Sequence, residues 1–573
     1  MYIETVPNRN SRPTILLREG WREGKKTPKR TLANLTHWPK HKIDALRRLL
    51  KDEPLAAAGD IFEIKRSLPH GHVMAILGTM EKIGLDQIIS SKTCQEQRLV
   101  MAMIAERLIY PCSKLSTTRV WHSCTLASQL GVQDADENDL YQAMDWLLAR
   151  QARIEKKLAA RHLEEGDLVF YDVSSSYYEG RTCPLAHYGN DKDGKKGRPI
   201  IVYGAMTDQR GIPVALEVYP GNTGDPSTVA DQVQKLRKRF GLQRVVLVGD
   251  RGMLTQVQID NLKKYPGLGW ISALRSHSIK KLIDDQLIQP SLFDQVGLAE
   301  IAWPDLPEER LIVCYNPILA EDRRRTRDEL LQLTQKGLEK IAKEISRRTK
   351  TPLSAAEIGK KVAKVQRQYK MGKHFRIEIK DNFLSFSRKE DSITREEQSD
   401  GIYVIRTSES AQRLSAEDTV RGYKTLSKVE RVFLSMKSLD LHVRPIWHRE
   451  ERRVRAHIFI CMLAYYLEWH MREALAPVLF DDEELDRETQ QRHPVAPAQP
   501  STSAKRKKTS KKTPDGFPVH SFQTLLHELA TLCKNQCRIK TDPQGPLFDQ
   551  LTLPTPLQKK AFQLLELFPD NEI

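Results

Sequence analysis

Cysteine is scarce: eight in 573 residues, no C-x-x-C pair, and no histidine at zinc-finger distance from the closest two, Cys533 and Cys537. That excludes a disulfide framework and a structural zinc site. Long apolar runs are missing too. The longest, Ile458 to Leu467, has ten residues, half of the roughly 20 needed to span a bilayer, which argues against a membrane protein. The opening Met1-Tyr-Ile-Glu-Thr-Val has no apolar h-region, which predicts no secretory signal and a cytoplasmic compartment. No P-loop, G-x-S-x-G or H-E-x-x-H is present, and His442, His448, His457 and His470 form no tight pair beside an acid. Negative charge falls short as well: Lys+Arg 91 against Asp+Glu 74 leaves +17. A chain this basic is drawn to polyanions, nucleic acid above all.

The length predicts three to four domains at roughly 150 residues each. Residues 1–40 alternate short apolar and basic stretches, with Lys25, Lys26, Lys29 and Arg30 near Gly20 and Gly24, and read as a basic β-hairpin. From 41 to 165 apolar residues recur at helical spacing (Leu99, Val100, Met103, Ile104; Leu140, Met144, Leu147, Leu148), as in a compact helical domain able to dock on DNA. The period changes at Asp167. Residues 168–178, 200–207 and 213–219 read as three strands, Asp225-Pro226 opens a helix, and Val245-Val-Leu-Val is a short buried strand made parallel by the crossover rule. Residues 251–410 read as an insertion carrying a basic helical stretch from Asp322 to Tyr369. Helical segments follow at 416–439 and, amphipathic, at 451–475. Residues 481–518, rich in Pro, Gln, Ser and Lys, read as a basic flexible linker whose run Lys505 to Lys512 is solvated, and 519–573 as a small helical appendage.

Three acids stand where an apolar pattern does not ask for them. Asp172 lies inside the first strand, where a carboxylate is costly unless compensated. Asp250 follows Val245-Val-Leu-Val-Gly at the carboxyl end of a strand, the edge where α/β sheets bind ligands. Glu430 lies seven residues from both Tyr423 and Lys437, close to two helical turns, so a continuous helix puts all three on one face. Each acid also has a purely structural reading: Asp172 capping a Ser174-Ser-Ser turn, Asp250 capping the helix after Asp-Arg-Gly, and Glu430 closing a capping box with Ser427. A glycosidase using Asp172 and Asp250 suits neither the charge nor the basic stretch.

Five motifs in order carry a resemblance: Tyr171-Asp172-Val-Ser-Ser-Ser-Tyr-Tyr-Glu-Gly180, Gly221-Asn222-Thr-Gly-Asp225, Val248-Gly-Asp250-Arg-Gly252, the segment Tyr423 to Lys437, and Arg453 to Glu468. Over residues 2–475 the chain resembles a DDE insertion-sequence transposase of the IS-four group, and within it the sixteen-thirty-four family. The resemblance implies an α/β fold whose ribonuclease-H-like core, 166–250 and 411–480, is split by the large insertion and preceded by the basic hairpin and the mainly helical domain. It implies Asp172, Asp250 and Glu430 as catalytic and metal-binding triad. The glutamate falls in a signature Y-x2-R-x3-E-x6-K, with Tyr423 and Lys437 in place but Leu426 at the arginine position; Lys424, Lys428 or Arg431 would then substitute from beside it.

The chemistry implied is phosphoryl transfer by two Mg2+ ions, with Mn2+ as a possible substitute. DNA contacts would come from Tyr423, Lys437, Arg431, Lys424, Lys428, Lys25, Lys26, Lys29 and Arg30. The expected partners are double-stranded DNA with terminal inverted repeats and a second copy of the chain, with no membrane, and movement would be cut-and-paste. The expected location is cytoplasmic and DNA-associated, in the nucleoid of a prokaryote. The rival functions are a catalytically silent DNA-binding protein, which the Leu426 departure would suit, and a nuclease without strand transfer.

Overall fold

A computed structural model describes the chain except for residues 10, 53–61, 290–292, 294–296, 349, 541–543 and 568–573, and except for the side chains of 438 and 439. Parts of the expected segments 41–165, 251–410 and 519–573 therefore lie outside the described residues. The chain divides into two units, 1–69 with 532–553, and 70–531 with 554–573.

The smaller unit holds two antiparallel sheets. Strands β1 (Tyr2–Val6), β2 (Thr14–Gly20) and β3 (Lys29–Asn34) pair in order, so the expected hairpin has a third strand. Lys25 and Lys26 are exposed at the turn between β2 and β3, where Gly24 takes a positive φ of 65°. Strand β4 (Phe62–Pro69) belongs to this unit too, beside two strands from near the C-terminus. A helix does start near the expected boundary, at Lys40–Leu49, but it belongs to this smaller unit, and the larger unit begins at residue 70.

The larger unit is built on an eight-stranded mixed sheet, which makes the protein an α/β one. Its strands are β5 (Leu168–Tyr177), β6 (Ile200–Thr207), β7 (Pro213–Pro220), β8 (Val245–Val248), β9 (Leu268–Ala273), β10 (Leu298–Ile301), β11 (Arg310–Tyr315) and, after the hairpin β12 (Phe375–Lys380) and β13 (Phe383–Arg388), β14 (Ile402–Thr407). They lie in the order β10-β11-β14-β9-β8-β5-β6-β7. The pairs β5/β8 and β8/β9 are parallel and the others antiparallel. Every residue of β6 and β8 is buried, as strands covered on both faces require. Ser174 to Ser176 lie within β5, so there is no turn there for Asp172 to cap.

The expectation of a separate insertion over 251–410 meets a sheet that runs through it. β9, β11 and β14 are apolar strands buried on both faces, and only the sheet itself covers their edges. The helices Pro317–Arg347 and Ala355–Tyr369, with the hairpin β12–β13, have a core of their own around Leu338, Ile341, Ile358 and Phe375. The helix Glu451–Leu475 is not amphipathic: Ala456 to Glu468 are all buried, and it packs on Gln95–Ile109, Glu137–Leu148 and Gly71–Lys82.

Residues 481–573 differ from a linker and an appendage. Residues 502–510 form a helix in which Lys507 is 1% exposed, its Nζ donating to the Ala476 and Asp481 carbonyls at 2.7 and 3.1 Å and to Glu483 at 3.0 Å. Helices Phe522–Ala530 and Pro556–Leu565 bury Leu525, Leu529, Ala561 and Phe562 in the larger unit. Strands β15 (Cys533–Ile539) and β16 (Phe548–Leu551) join β4 in the smaller one, β15 between the other two.

Candidate active site

The first acid is set by strand register. Asp172 pairs with Ala205 of β6, two residues beyond the point where β5 leaves its parallel partner β8. Beside it the Tyr171 ring crosses Gly204 of β6, where any Cβ would collide with the phenol. Half-buried, Asp172 has its carboxyl pushed up to about 6, first by burial. A hydrogen bond from the Val173 amide and the charge of Lys192 work against the rise, and the Asp250 and Asp225 carboxylates add to it.

Asp250 stands two residues past β8. Its Oδ1 accepts from the Gly252 and Met253 amides at 3.0 and 2.7 Å, so it holds the turn after β8 rather than capping the following helix Gln256–Leu262, whose cap position is Thr255, and among the described residues Oδ2 forms no bond. Glu430 sits exposed on the helix Leu426–Leu434, which packs across β5 and β6. The capping box is not formed: Ser427 Oγ donates to the Lys424 carbonyl, and the helix has no side-chain cap. Glu430 has no hydrogen-bond or ion-pair partner among the described residues. The charges of all three acids act on Tyr423, whose phenol is pushed up to about 12 by burial first and then by Asp250, Glu430 and Asp172, with Arg251 opposing. It therefore stays protonated, a hydroxyl donor among carboxylates.

In kind, these oxygens suit a hard divalent cation. As they stand they do not close on one point, since no three His, Cys, Asp or Glu side chains among the described residues are grouped so as to hold a metal ion.

The signature helix is not continuous. It breaks at Thr425 between Ala416–Lys424 and Leu426–Leu434, then widens to a π-turn over Ser435–Leu439. The extra residue per turn moves Lys437 off the face of Glu430. Lys437 is 9% exposed, and its ammonium donates to Asp193 Oδ1 at 2.9 Å, the same oxygen that Arg444 holds at 2.6 Å. Burial pulls Lys437 below the ordinary lysine range, and Asp193 opposes this. The expected presentation of Lys437 to a phosphodiester beside Glu430 is thus replaced by a buried pair.

The cations near Leu426 are engaged as well. Lys424 Nζ donates to the Pro494 carbonyl at 2.5 Å, Lys428 to Asp486 at 2.9 Å, and Arg431 to Asp481 at 3.3 Å. In the smaller unit Lys29 lies 3.5 Å from Glu4, and Arg30 is exposed.

Sequence reasoning missed several charged residues around the site. Lys192, on the β5–β6 connection, donates to the Val173 carbonyl at 2.6 Å and to Asp225 at 3.0 Å. The next residue, Asp193, anchors Lys437. Asp225 ends a turn already singled out as a motif, which was the available signal. Glu468, buried in the helix Glu451–Leu475, accepts from Ser435 Oγ at 2.6 Å and from Arg472 at 2.6 Å, while Arg472 also holds Asp440 at 2.9 Å. Together they anchor both ends of the π-turn. Burial raises the Glu468 carboxyl to about 7 against the pull of Arg472.

Residues 169–467, more than half of the chain, match the transposase DDE domain family, and residues 3–59 match the N-terminal domain of IS1634 family transposases. No curated protein matches the chain. Among solved structures, the cryo-EM structure of the piggyBac transposase synaptic complex with hairpin DNA is similar at a TM-score of 0.34 and 10% identity, over 88% of this chain and 83% of that one, too distant a likeness to inform the site. No helix among the described residues is long and apolar enough to cross a membrane. By the domain that spans its sheet and its three acids, and by its N-terminal match, the chain belongs to the DDE transposases of the IS1634 insertion-sequence family.

Proposed function

We propose that this transposase binds the ends of its insertion sequence and catalyses strand cleavage and transfer at Asp172, Asp250 and Glu430. The observation that supports the assignment is that all three carboxylates act electrostatically on one buried group, the Tyr423 phenol, although they come from a strand, a strand end and a helix 180 residues further on. The order β7-β6-β5-β8-β9, an antiparallel trio followed by two parallel strands, supports a ribonuclease-H-like core, with β10, β11 and β14 added to its edge.

The three acids would hold two divalent cations, Mg2+ or Mn2+, which when bound supply an activated water or 3′-hydroxyl and stabilise the leaving oxygen of an in-line displacement. The chain's own part is positional. β5 and β8 fix Asp172 and Asp250 on one sheet edge, and the amides of Gly252 and Met253 hold one Asp250 oxygen and leave the other to turn outward. Tyr423 donates its hydroxyl to a phosphate oxygen. Because two ends must be cut and joined together, the active form is a homodimer on DNA with two-fold symmetry, and the movement is cut-and-paste.

The test uses the full chain with duplexes carrying the inverted repeats that flank its own gene. Metal-dependent cleavage and joined products are expected. End binding without cleavage in Mg2+ or Mn2+ would point to a silent DNA-binding protein, and cleavage without joining to a nuclease.

A further inference from the structure

A cavity of about 420 Å3 opens beside Asp250, among residues that follow β8 and β9. This volume falls in the roughly 300–1,000 Å3 range of small-ligand clefts. Its charged lining is of two kinds. Arg406 holds Glu309 at 2.5 and 2.6 Å, both buried, and Asp305 is held by Lys281 at 2.6 Å. Arg251 and Arg275 have no carboxylate partner among the described residues. Arg275 instead donates its Nε to the Arg251 backbone carbonyl at 3.5 Å, and both arginines, exposed to solvent, line this cavity. Two cations without a carboxylate partner on one cavity offer an anion a favourable place.

The neighbouring helix adds to this polarity. Ser276–Asp284 starts with Arg275 as its cap and has no side-chain capping bond, so its first turn, at His277, brings the positive end of the helix dipole to the same cavity, the Ser278 amide being bonded to the Arg275 carbonyl at 3.0 Å. Arg251 also belongs to the triad's surroundings, since its charge acts on the Tyr423 phenol together with the three carboxylates. An anion between the two arginines therefore lies alongside the reacting centre. Guanidinium forks suit an oxyanion with two free oxygens, and the polyanion that a transposase handles is DNA.

We propose that this cavity seats a DNA backbone phosphate adjacent to the one being cut, gripped by Arg251 and Arg275, so that the scissile phosphodiester is registered over Asp172, Asp250 and Glu430. The proposal rests on the active-site reading above. Arg275 acts through the strand it holds and is a positioning residue.

The test is a coupling cycle on the full chain. End duplexes are made with a single neutral methylphosphonate at each position flanking the cut, and wild type is compared with Arg275→Ala and Arg275→Lys in equilibrium binding and single-turnover cleavage. On unmodified DNA, Arg275→Ala should slow cleavage about 10- to 100-fold, the loss of a charge-assisted hydrogen bond, and lower the salt slope of binding by about 0.9. Arg275→Lys should recover the salt slope and only part of the rate. At one methylphosphonate position, wild type should fall to the level of Arg275→Ala, which loses nothing more there. Independent losses at every position, or wild-type cleavage by Arg275→Ala, would overturn the proposal. A melting temperature shared with wild type separates these effects from misfolding. If wild type binds ends but does not cut, the carboxylate reading fails, and the coupling read in binding alone still decides the cavity.

Discussion

The two ends of the signature helix treat charge in opposite ways. Around Glu430, carboxylates gather with little to balance them: Glu430 has no partner among the described residues, one Asp250 oxygen is unbonded, and Lys192 is shared between Asp225 and a carbonyl. Seven residues on, the reverse holds. Lys437 and Arg444 close on Asp193, and Arg472 ties Glu468, Asp440 and Asp481 together. A buried charge with its partners is scaffold, whereas acids left facing one another are tolerated where a ligand supplies the missing positive charge.

The comparison breaks most visibly in the reaction itself. Asp172→Asn, Asp250→Asn or Glu430→Gln should each lower cleavage by on the order of 10^3-fold or more, as for groups that act as a unit, while end binding persists. Cleavage surviving in one variant would remove that residue from the site. At the scaffold end the loss should appear as stability. Arg472→Ala strands the Glu468 carboxylate in the core and should cost about 3–5 kcal/mol in urea unfolding. A cost under about 1 kcal/mol would mean that Glu468 is neutral there and the network is not what holds the π-turn.

Asp172→Asn sharpens the contrast because it should move stability and activity in opposite directions. The native carboxyl lies near 6 against an ordinary 3.8, so between these values the native state binds more protons than the unfolded one, and stability falls as pH rises. At pH 7 without metal, the charged form carries the whole penalty. The asparagine variant should then be more stable than wild type by about 1–3 kcal/mol, with the difference fading below about pH 4. An unchanged or lower stability at pH 7 would mean that the carboxylate is already compensated.

The two ends also differ in how far they could be read from the residues alone. Asp172 stands out because it interrupts an apolar strand, Asp250 because it follows the end of one, and Glu430 because its spacing to Tyr423 and Lys437 matches a signature. Asp193 and Lys192 sit in a turn with no periodicity, so nothing local marks their long-range partners. The break at Thr425 and the π-turn are set by packing, and spacing alone could not reveal that Lys437 turns inward. The same limit explains β9, whose Leu-Gly-Trp-Ile-Ser-Ala is too short to show its neighbour, and Lys507, whose linker-like composition hides three oxygen partners. Periodicity reports a residue's own element, and burial depends on what another element brings.

The smallest expected effect belongs to a third kind of charge, exposed and held by no ion pair among the described residues, in the smaller unit. Lys25 and Lys26 lie on the turn between β2 and β3, clear of the Arg18–Glu4 pair at 2.8 Å and of Lys29, 3.5 Å from Glu4. Solvent screens such charges, so removing them should leave the melting temperature unchanged. If they contact the DNA backbone, each neutralises one phosphate, and log K against log salt should flatten by about 0.9 per lysine removed. Lys25→Ala with Lys26→Ala should therefore flatten the slope by about 1.8 and weaken specific and random duplexes alike, because phosphate contacts carry no sequence information. An unchanged slope would take this turn out of the DNA interface, and a loss confined to end sequences would make it a reader of bases.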